Sequence, residues 1–91
     1  MYLHLGQNVV VRLADVIGIF DLENATLEKD TRNFLANATK HGRVVNVSPE
    51  MPKSFILCRD REGRETVYIA QISPKTLKKR TGFVGSLSLE P

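Results

Sequence analysis

Hydrophobic and polar positions along this chain predict an α+β fold of about six strands and two helices. Apolar runs rich in β-branched residues and separated by turn signals are typical of strands, and they occupy residues 2–5, 9–13, 16–22, 44–47, 54–58 and 66–72. An amphipathic stretch over residues 27–40 predicts a middle helix, and residues 73–80 predict a short C-terminal helix. Because the connections are short, we expect the strands to form one small, mainly antiparallel sheet.

The predicted helical cover for this sheet is thin. The middle helix offers a sparse apolar side formed by Leu27, Phe34, Leu35 and Ala38. The third strand, which reads V-I-G-I-F-D-L, is apolar on both alternating faces, and Gly18 inside it predicts a bulge or a close backbone approach. One helix cannot cover such a sheet well, so we expect part of the sheet to be buried against other subunits.

The last predicted helix is the most sharply delimited element, and it reads S-P-K-T-L-K-K-R. Ser73 can cap the free N–H groups, Pro74 suits the first helical position, and Ile72 is spaced to pack on Leu77. At about 100° per residue the cations fall opposite Leu77 or to one side of it; they are Lys75, Lys78, Lys79 and Arg80. A solvated basic helix end and an anion-binding surface both fit this pattern.

Charge is distributed unevenly along the 91 residues, which are enough for one domain. The net charge is a mild +3, but residues 1–42 hold four basic and five acidic side chains, and residues 43–91 hold nine basic and five acidic ones. Positive charge is therefore concentrated in the half of the chain that contains the last predicted helix. This distribution permits a polyanionic partner such as nucleic acid without requiring one.

The single cysteine, Cys58, excludes an intramolecular disulfide framework and suits a reducing compartment. The N-terminal residues have no basic and apolar signal-peptide pattern, and no apolar run approaches the roughly 18 residues of a membrane span. These features predict a cytoplasmic protein.

Residues with catalytic or metal-binding chemistry show no recognisable spacing. Cys58 lies in an apolar strand, where a thiol is usually inert packing. His4 and His41 share no metal-ligand spacing, and no glycine-rich phosphate loop is present. We therefore expect no enzymatic activity, no metal site and no cofactor. The sequence also lacks a helix-turn-helix, zinc-finger or aromatic-rich RNA-binding pattern, so any binding to DNA should use phosphates.

Several blocks of the chain together resemble one bacterial family. They read M-Y-L-H-L-G, N-V-V-V-R, D-V-I-G-I-F-D-L-E, P-K-S-F-I-L and T-L-K-K-R, in this order. The chain is similar to the RemA/RemB-type extracellular matrix regulatory proteins, and nearest to the RemB branch. The resemblance covers residues 1–80 as a single domain, which leaves residues 81–91 as a flexible or subunit-docking tail.

The resemblance implies a DNA-binding transcriptional regulator of biofilm-matrix genes that has no enzymatic activity and no cofactor. It also implies a ring-like homo-oligomer whose outer basic residues contact double-stranded DNA. The candidate DNA-binding residues in this chain are Arg12, Lys53, Lys75, Lys78, Lys79 and Arg80. Asp15 departs from the family pattern, because RemA-like proteins carry an Arg just before the equivalent strand. An oligomeric protein-interaction module without direct DNA binding therefore stays open as the alternative.

Overall fold

The computed structural model describes residues 1–25 and 27–81, and within them it confirms the α+β class. The strands are β1 (Tyr2–Gly6), β2 (Val9–Arg12), β3 (Val16–Asp21), β4 (Val44–Asn46), β5 (Ser54–Arg59) and β6 (Glu65–Ala70). The helices are α1 (Leu22–Ala25), α2 (Lys29–Lys40) and α3 (Pro74–Arg80), and a 3-10 turn occupies Leu13–Asp15. Of the predicted tail at residues 81–91, only Thr81 belongs to the described residues.

The first two strands form an antiparallel hairpin of their own. Side chains alternate across it, as the two-residue strand period requires: Leu3 and Leu5 are fully buried, whereas Tyr2 and His4 are exposed. The turn begins at Gly6, whose φ of +115° is a conformation that glycine adopts without a Cβ clash. The hairpin therefore offers one apolar face to the rest of the molecule.

The other four strands form a mixed sheet in the order β3-β5-β6-β4. The prediction of a single six-stranded sheet was wrong. The hairpin does not extend the edge of the four-stranded sheet, because its buried side packs onto a face of that sheet. Leu3 and Leu5 accordingly share a core cluster with Ile56 of β5. The β3–β5 and β5–β6 pairs are antiparallel, and β4 runs parallel to β6. The chain reverses between β4 and β5 and again between β5 and β6, so β4 and β6 point the same way.

Two core clusters lie on opposite faces of the four-stranded sheet. Ile56 and Cys58 of β5 face the hairpin and α3, where Leu77 is fully buried. Phe55 of β5 faces the other way and packs with Ala38 of α2. Each face of the sheet is thus covered by other elements of the same chain, one by the hairpin and α3 and the other by α2.

The middle helix is shorter than the predicted 27–40. It begins at Lys29, and Leu27 lies outside it with 77% of its surface exposed, so the apolar role predicted for Leu27 was wrong. Phe34 and Leu35 pack against the second core cluster as expected. No helix among residues 1–25 and 27–81 is long and apolar enough to cross a membrane.

The third strand ends one residue before the predicted boundary at Leu22. Oδ1 of Asp21 accepts hydrogen bonds from the backbone N–H groups of Glu23 and Asn24, at 2.9 and 3.3 Å. A carboxylate that accepts from N–H groups two and three residues ahead starts a helical turn, so α1 begins at Leu22. The predicted irregularity at Gly18 is confirmed by a register shift between Val16 and Gly18 in the pairing with β5.

Candidate nucleic-acid interface

Helix α3 has the start that its sequence predicts. The Oγ of Ser73 accepts a hydrogen bond from the backbone N–H of Thr76 at 3.2 Å, and Pro74 occupies the first helical position. Leu77 is fully buried in the first core cluster, against which Ile72 also packs. One capping residue and one apolar anchor therefore fix this seven-residue helix on the fold.

Hydrogen bonds at both ends tie α3 to the strands beneath it. Before the helix, the hydroxyl of Ser54 donates to the carbonyl oxygen of Ile72 at 2.7 Å. At the far end, Nη1 of Arg80 donates to the carbonyl oxygen of His4 on β1 at 3.2 Å. The helix is held over the hairpin at a defined position, so the direction of its cationic face is fixed by the fold.

The lysines of α3 face away from the core. Lys75 and Lys79 are exposed and Lys78 is half-buried. Within residues 1–25 and 27–81 none of the three makes an ion pair. Residues 66–81 contain no acidic side chain, so neighbours along the chain leave this positive charge uncompensated.

Lys53 lies at the same end of the sheet as the start of α3. Its backbone N–H donates to the carbonyl oxygen of Ala70 at 2.9 Å, and its carbonyl oxygen accepts from the N–H of Leu22 at 3.0 Å. The side chain is exposed. Because Ala70 ends β6 and is followed by the short segment that leads into α3, Lys53 lies at the end of the sheet where α3 begins.

Arg12 is not brought to that end of the sheet. It lines a cleft with Cys58, which is five residues further along β5 than Lys53 and so about 17 Å away along the strand. Its Nη1 lies 3.9 Å from Oδ1 of Asp15. Of the predicted DNA-binding residues, four lie on α3 and Lys53 lies at the end of the sheet where α3 begins, whereas Arg12 lies near the other end beside a carboxylate.

Sequence reasoning missed a second group of cations, on the β5–β6 hairpin. Glu65 accepts hydrogen bonds from Arg59 and from Arg43, the latter at 3.2 Å. The hydrogen bond from Arg59 is the main reason that the pKa of Glu65 lies below its usual range, and the charges of both arginines add to the effect. The hairpin register could have revealed this group, because a tip over residues 60–64 places Arg59 directly opposite Glu65.

The tip of that hairpin is shaped by Asp60. Its Oδ1 accepts from the backbone N–H groups of Glu62 and Arg64, each at 2.9 Å, and Gly63 supplies the positive φ of +82° that the turn needs. Among the described residues, no three His, Cys, Asp or Glu side chains lie close enough together to hold a metal ion. Exposed cations thus lie on two parts of the described surface, on α3 and on the β5–β6 hairpin.

A family model described as RemA-like, Extracellular matrix regulatory protein A-like, matches residues 2–81. The chain belongs to the RemA-like family. It is also 36% identical over 84 residues to Extracellular matrix regulatory protein B of Bacillus subtilis (strain 168), which covers 92% of this chain and 94% of that protein.

The blocks that carry the RemA-like resemblance now have places in the fold. M-Y-L-H-L-G forms the start of the chain and β1, P-K-S-F-I-L leads into β5, and T-L-K-K-R lies within α3. Ile56 and Leu77, one from each of the last two blocks, share the first core cluster. The position at which this RemA-like chain departs from the expected basic residue, Asp15, ends the 3-10 turn before β3.

Proposed function

We propose that this RemA-like protein is a non-enzymatic, DNA-binding transcriptional regulator of genes for the extracellular matrix of biofilms. The observation that supports the proposal best is the positive charge of α3, whose three lysines make no ion pair within the described residues. Lys53 is a further exposed cation. The name of the related Bacillus subtilis protein, Extracellular matrix regulatory protein B, supports the choice of target genes.

The chemistry of this surface favours phosphate contacts over base reading. Lysines on a short helix neutralise phosphate charge and release counterions, which gives salt-steep and weakly sequence-selective binding. Between residues 66 and 81 four cations are available per chain, and Lys53 adds a fifth. Such a small number needs several protomers on one duplex to reach useful affinity.

Repetition of the surface in a ring-like homo-oligomer would supply that multiplicity. Strand β3 is an edge of the four-stranded sheet, and Ile17 and Phe20 on it expose 46% and 40% of their surfaces. An apolar sheet edge is a common site of contact between subunits. In this proposal the edges hold the protomers together and leave α3 free for the duplex.

The alternative function is an oligomeric protein-interaction module that does not bind DNA directly. Asp15 favours it, because this carboxylate partly neutralises Arg12, one of the six candidate DNA contacts. In that case the basic face of α3 would contact another subunit. The two functions differ in what reversal of charge on α3 should change.

The experiment measures binding to a long duplex by fluorescence anisotropy at several salt concentrations, and oligomer mass by light scattering. The variant is Lys78→Glu with Lys79→Glu, and the matched control is Lys29→Glu with Lys40→Glu on α2, which makes the same change in net charge. We expect the α3 variant to lose duplex binding while its oligomer mass stays unchanged. The control variant should keep both the binding and the mass of the natural chain. Absence of binding by the natural chain at low salt would overturn the proposal, and a changed mass of the α3 variant would favour the alternative.

A further inference from the structure

A small polar cleft lies at the end of the sheet opposite Lys53. It has a volume of about 220 Å³ and is bounded by the end of β2, the C-terminal end of β5 and the beginning of β6. Its lining contains two basic residues, Arg12 and Arg64, and two acidic ones, Asp15 and Asp60. Cys58 and Tyr68 line it as well. The DNA-binding surface proposed above uses only Arg12 of these residues.

Asp15 has an unusual setting for a carboxylate. Only 19% of its side chain is exposed, and its charged neighbour Arg12 lies 3.9 Å away, which is longer than a hydrogen bond. No hydrogen bond to the Asp15 side chain is formed within residues 1–25 and 27–81. No fully buried side-chain oxygen of the described residues lacks a partner, so the Asp15 oxygens remain open to the cleft and can accept from a charged donor that enters it.

Of the two carboxylates in the lining, Asp60 already accepts hydrogen bonds from the backbone N–H groups of Glu62 and Arg64, and the thiol and hydroxyl groups beside Asp15 are neutral. Burial, and next the nearby charge of Asp15, raise the pKa of the Cys58 thiol to about 11. Burial also raises the pKa of the Tyr68 hydroxyl, with smaller contributions from Cys58 and Asp15. Near neutral pH both side chains are therefore uncharged, and the hydroxyl of Tyr68 is available as a hydrogen-bond donor or acceptor.

We propose that this cleft binds a small zwitterion, an α-amino acid, with its ammonium group on Asp15 and its carboxylate on Arg12. In an α-amino acid the two charged groups share one carbon, so nitrogen and carboxylate oxygen lie roughly 3 Å apart. This spacing resembles the 3.9 Å between the guanidinium of Arg12 and the carboxylate of Asp15. Each ligand charge then meets the opposite charge of the protein.

Both the charge pattern and the size of the cleft favour this class of ligand. A simple anion would be attracted by Arg12 but repelled by Asp15 and Asp60, and a simple cation would be attracted by the carboxylates but repelled by Arg12. The other guanidinium, of Arg64, already pairs with Glu62 at 3.3 Å. A ligand with both charges satisfies both Arg12 and Asp15. Pockets for drug-sized ligands hold about 300 to 1,000 Å³, and this cleft is smaller, at about 220 Å³. A free amino acid with a small side chain is of the right size.

The test records backbone NMR spectra of the full chain during titration with each of the twenty free amino acids. We expect at least one of them to shift the amide signals of the cleft, such as those of Asp15, Cys58 and Tyr68, and to leave those of α3 unchanged. The same amino acid is then compared with its carboxyl amide and with the matching acid that lacks the amine. Both analogues should bind at least about tenfold more weakly, because each loses one charged contact.

Two variants connect the binding to the named groups. Asp15→Asn and Arg12→Gln should each weaken binding about tenfold or more, whereas the matched controls Glu28→Gln and Lys40→Gln, both of exposed residues, should leave it unchanged. Circular dichroism verifies that each variant is folded. The proposal is overturned if no amino acid shifts the cleft signals of the natural chain, or if an analogue with a single charge binds equally well.

Discussion

The ring of Phe20 lies over the backbone of Gly18, two residues earlier on β3. A Cβ atom at residue 18 would stand 2.5 Å from Cζ and 2.7 Å from Cε2 of that ring. The ring in turn stacks on Phe55 of the neighbouring strand, with centroids 4.8 Å apart and planes inclined by 21°. The glycine therefore makes room for an aromatic pair near the exposed edge of the sheet.

Replacement of Gly18 by Ala should push the Phe20 ring off Phe55. Because Phe20 is 40% exposed and can turn outward, we expect the cost to be mainly the lost stacking, about 1 kcal/mol in the free energy of unfolding. Urea unfolding measures it. In a Phe20→Ala background the same substitution should cost much less, and an equal cost in both backgrounds would contradict this explanation.

Ser73→Ala should destabilise α3 by removing its N-cap. The Oγ of Ser73 accepts from the N–H of Thr76, and loss of such a cap costs about 1 kcal/mol. Hydrogen exchange should accelerate at the amides of α3, with little change in β5. Ser73→Asp is the matched control, since a carboxylate keeps the acceptor and suits the helix N-terminus; unchanged exchange in Ser73→Ala would show that the cap does not hold the helix.

Asp15→Asn should strengthen duplex binding, if the protein binds DNA as proposed. The substitution removes a negative charge 3.9 Å from Arg12 and frees that guanidinium for a phosphate. A gain of about 1 kcal/mol, or roughly fivefold in affinity, is expected at low salt. Glu28→Gln removes the same charge from an exposed site on α2 and should have a smaller effect. Equal effects of the two variants would mean that only net charge matters.

Cys58 should make the protein less stable at alkaline pH. Burial raises the pKa of its thiol from 9.0 to about 11 in the folded chain, so between these values the unfolded chain releases a proton that the folded chain keeps. The contribution is complete below pH 9 and is lost as the pH rises towards 11.

The corresponding measurement is the free energy of unfolding between pH 8 and pH 10. Cys58→Ala should lower the stability throughout but flatten its fall above pH 9. The control Ile56→Val, at a fully buried neighbour on the same strand, should lower the stability and keep that fall. An equally steep fall in the alanine variant would exclude Cys58 as the titrating group.

Much of the local structure follows from short-range patterns in the sequence. Ser73, Pro74 and Leu77 specify the start and the buried side of α3, and the structure confirms both. The turn of the charged β5–β6 hairpin is also specified locally, because it depends on Asp60 and Gly63. The start of the middle helix was misplaced because apolar periodicity includes Leu27, whereas the short helix α1, begun by the side chain of Asp21, takes up the preceding residues.

The sequence by itself determined the element types, the capped basic helix and the family resemblance, because these depend on neighbours a few residues apart. Only the tertiary structure decided that the hairpin packs on a face of the sheet, that β4 runs parallel to β6, and that Arg12 lies beside Asp15 in a cleft far from Lys53. Such relations depend on which apolar faces meet, and strands with similar patterns can be packed in several ways. The Arg12–Asp15 cleft is of this kind, since β2, β5 and β6 form it together.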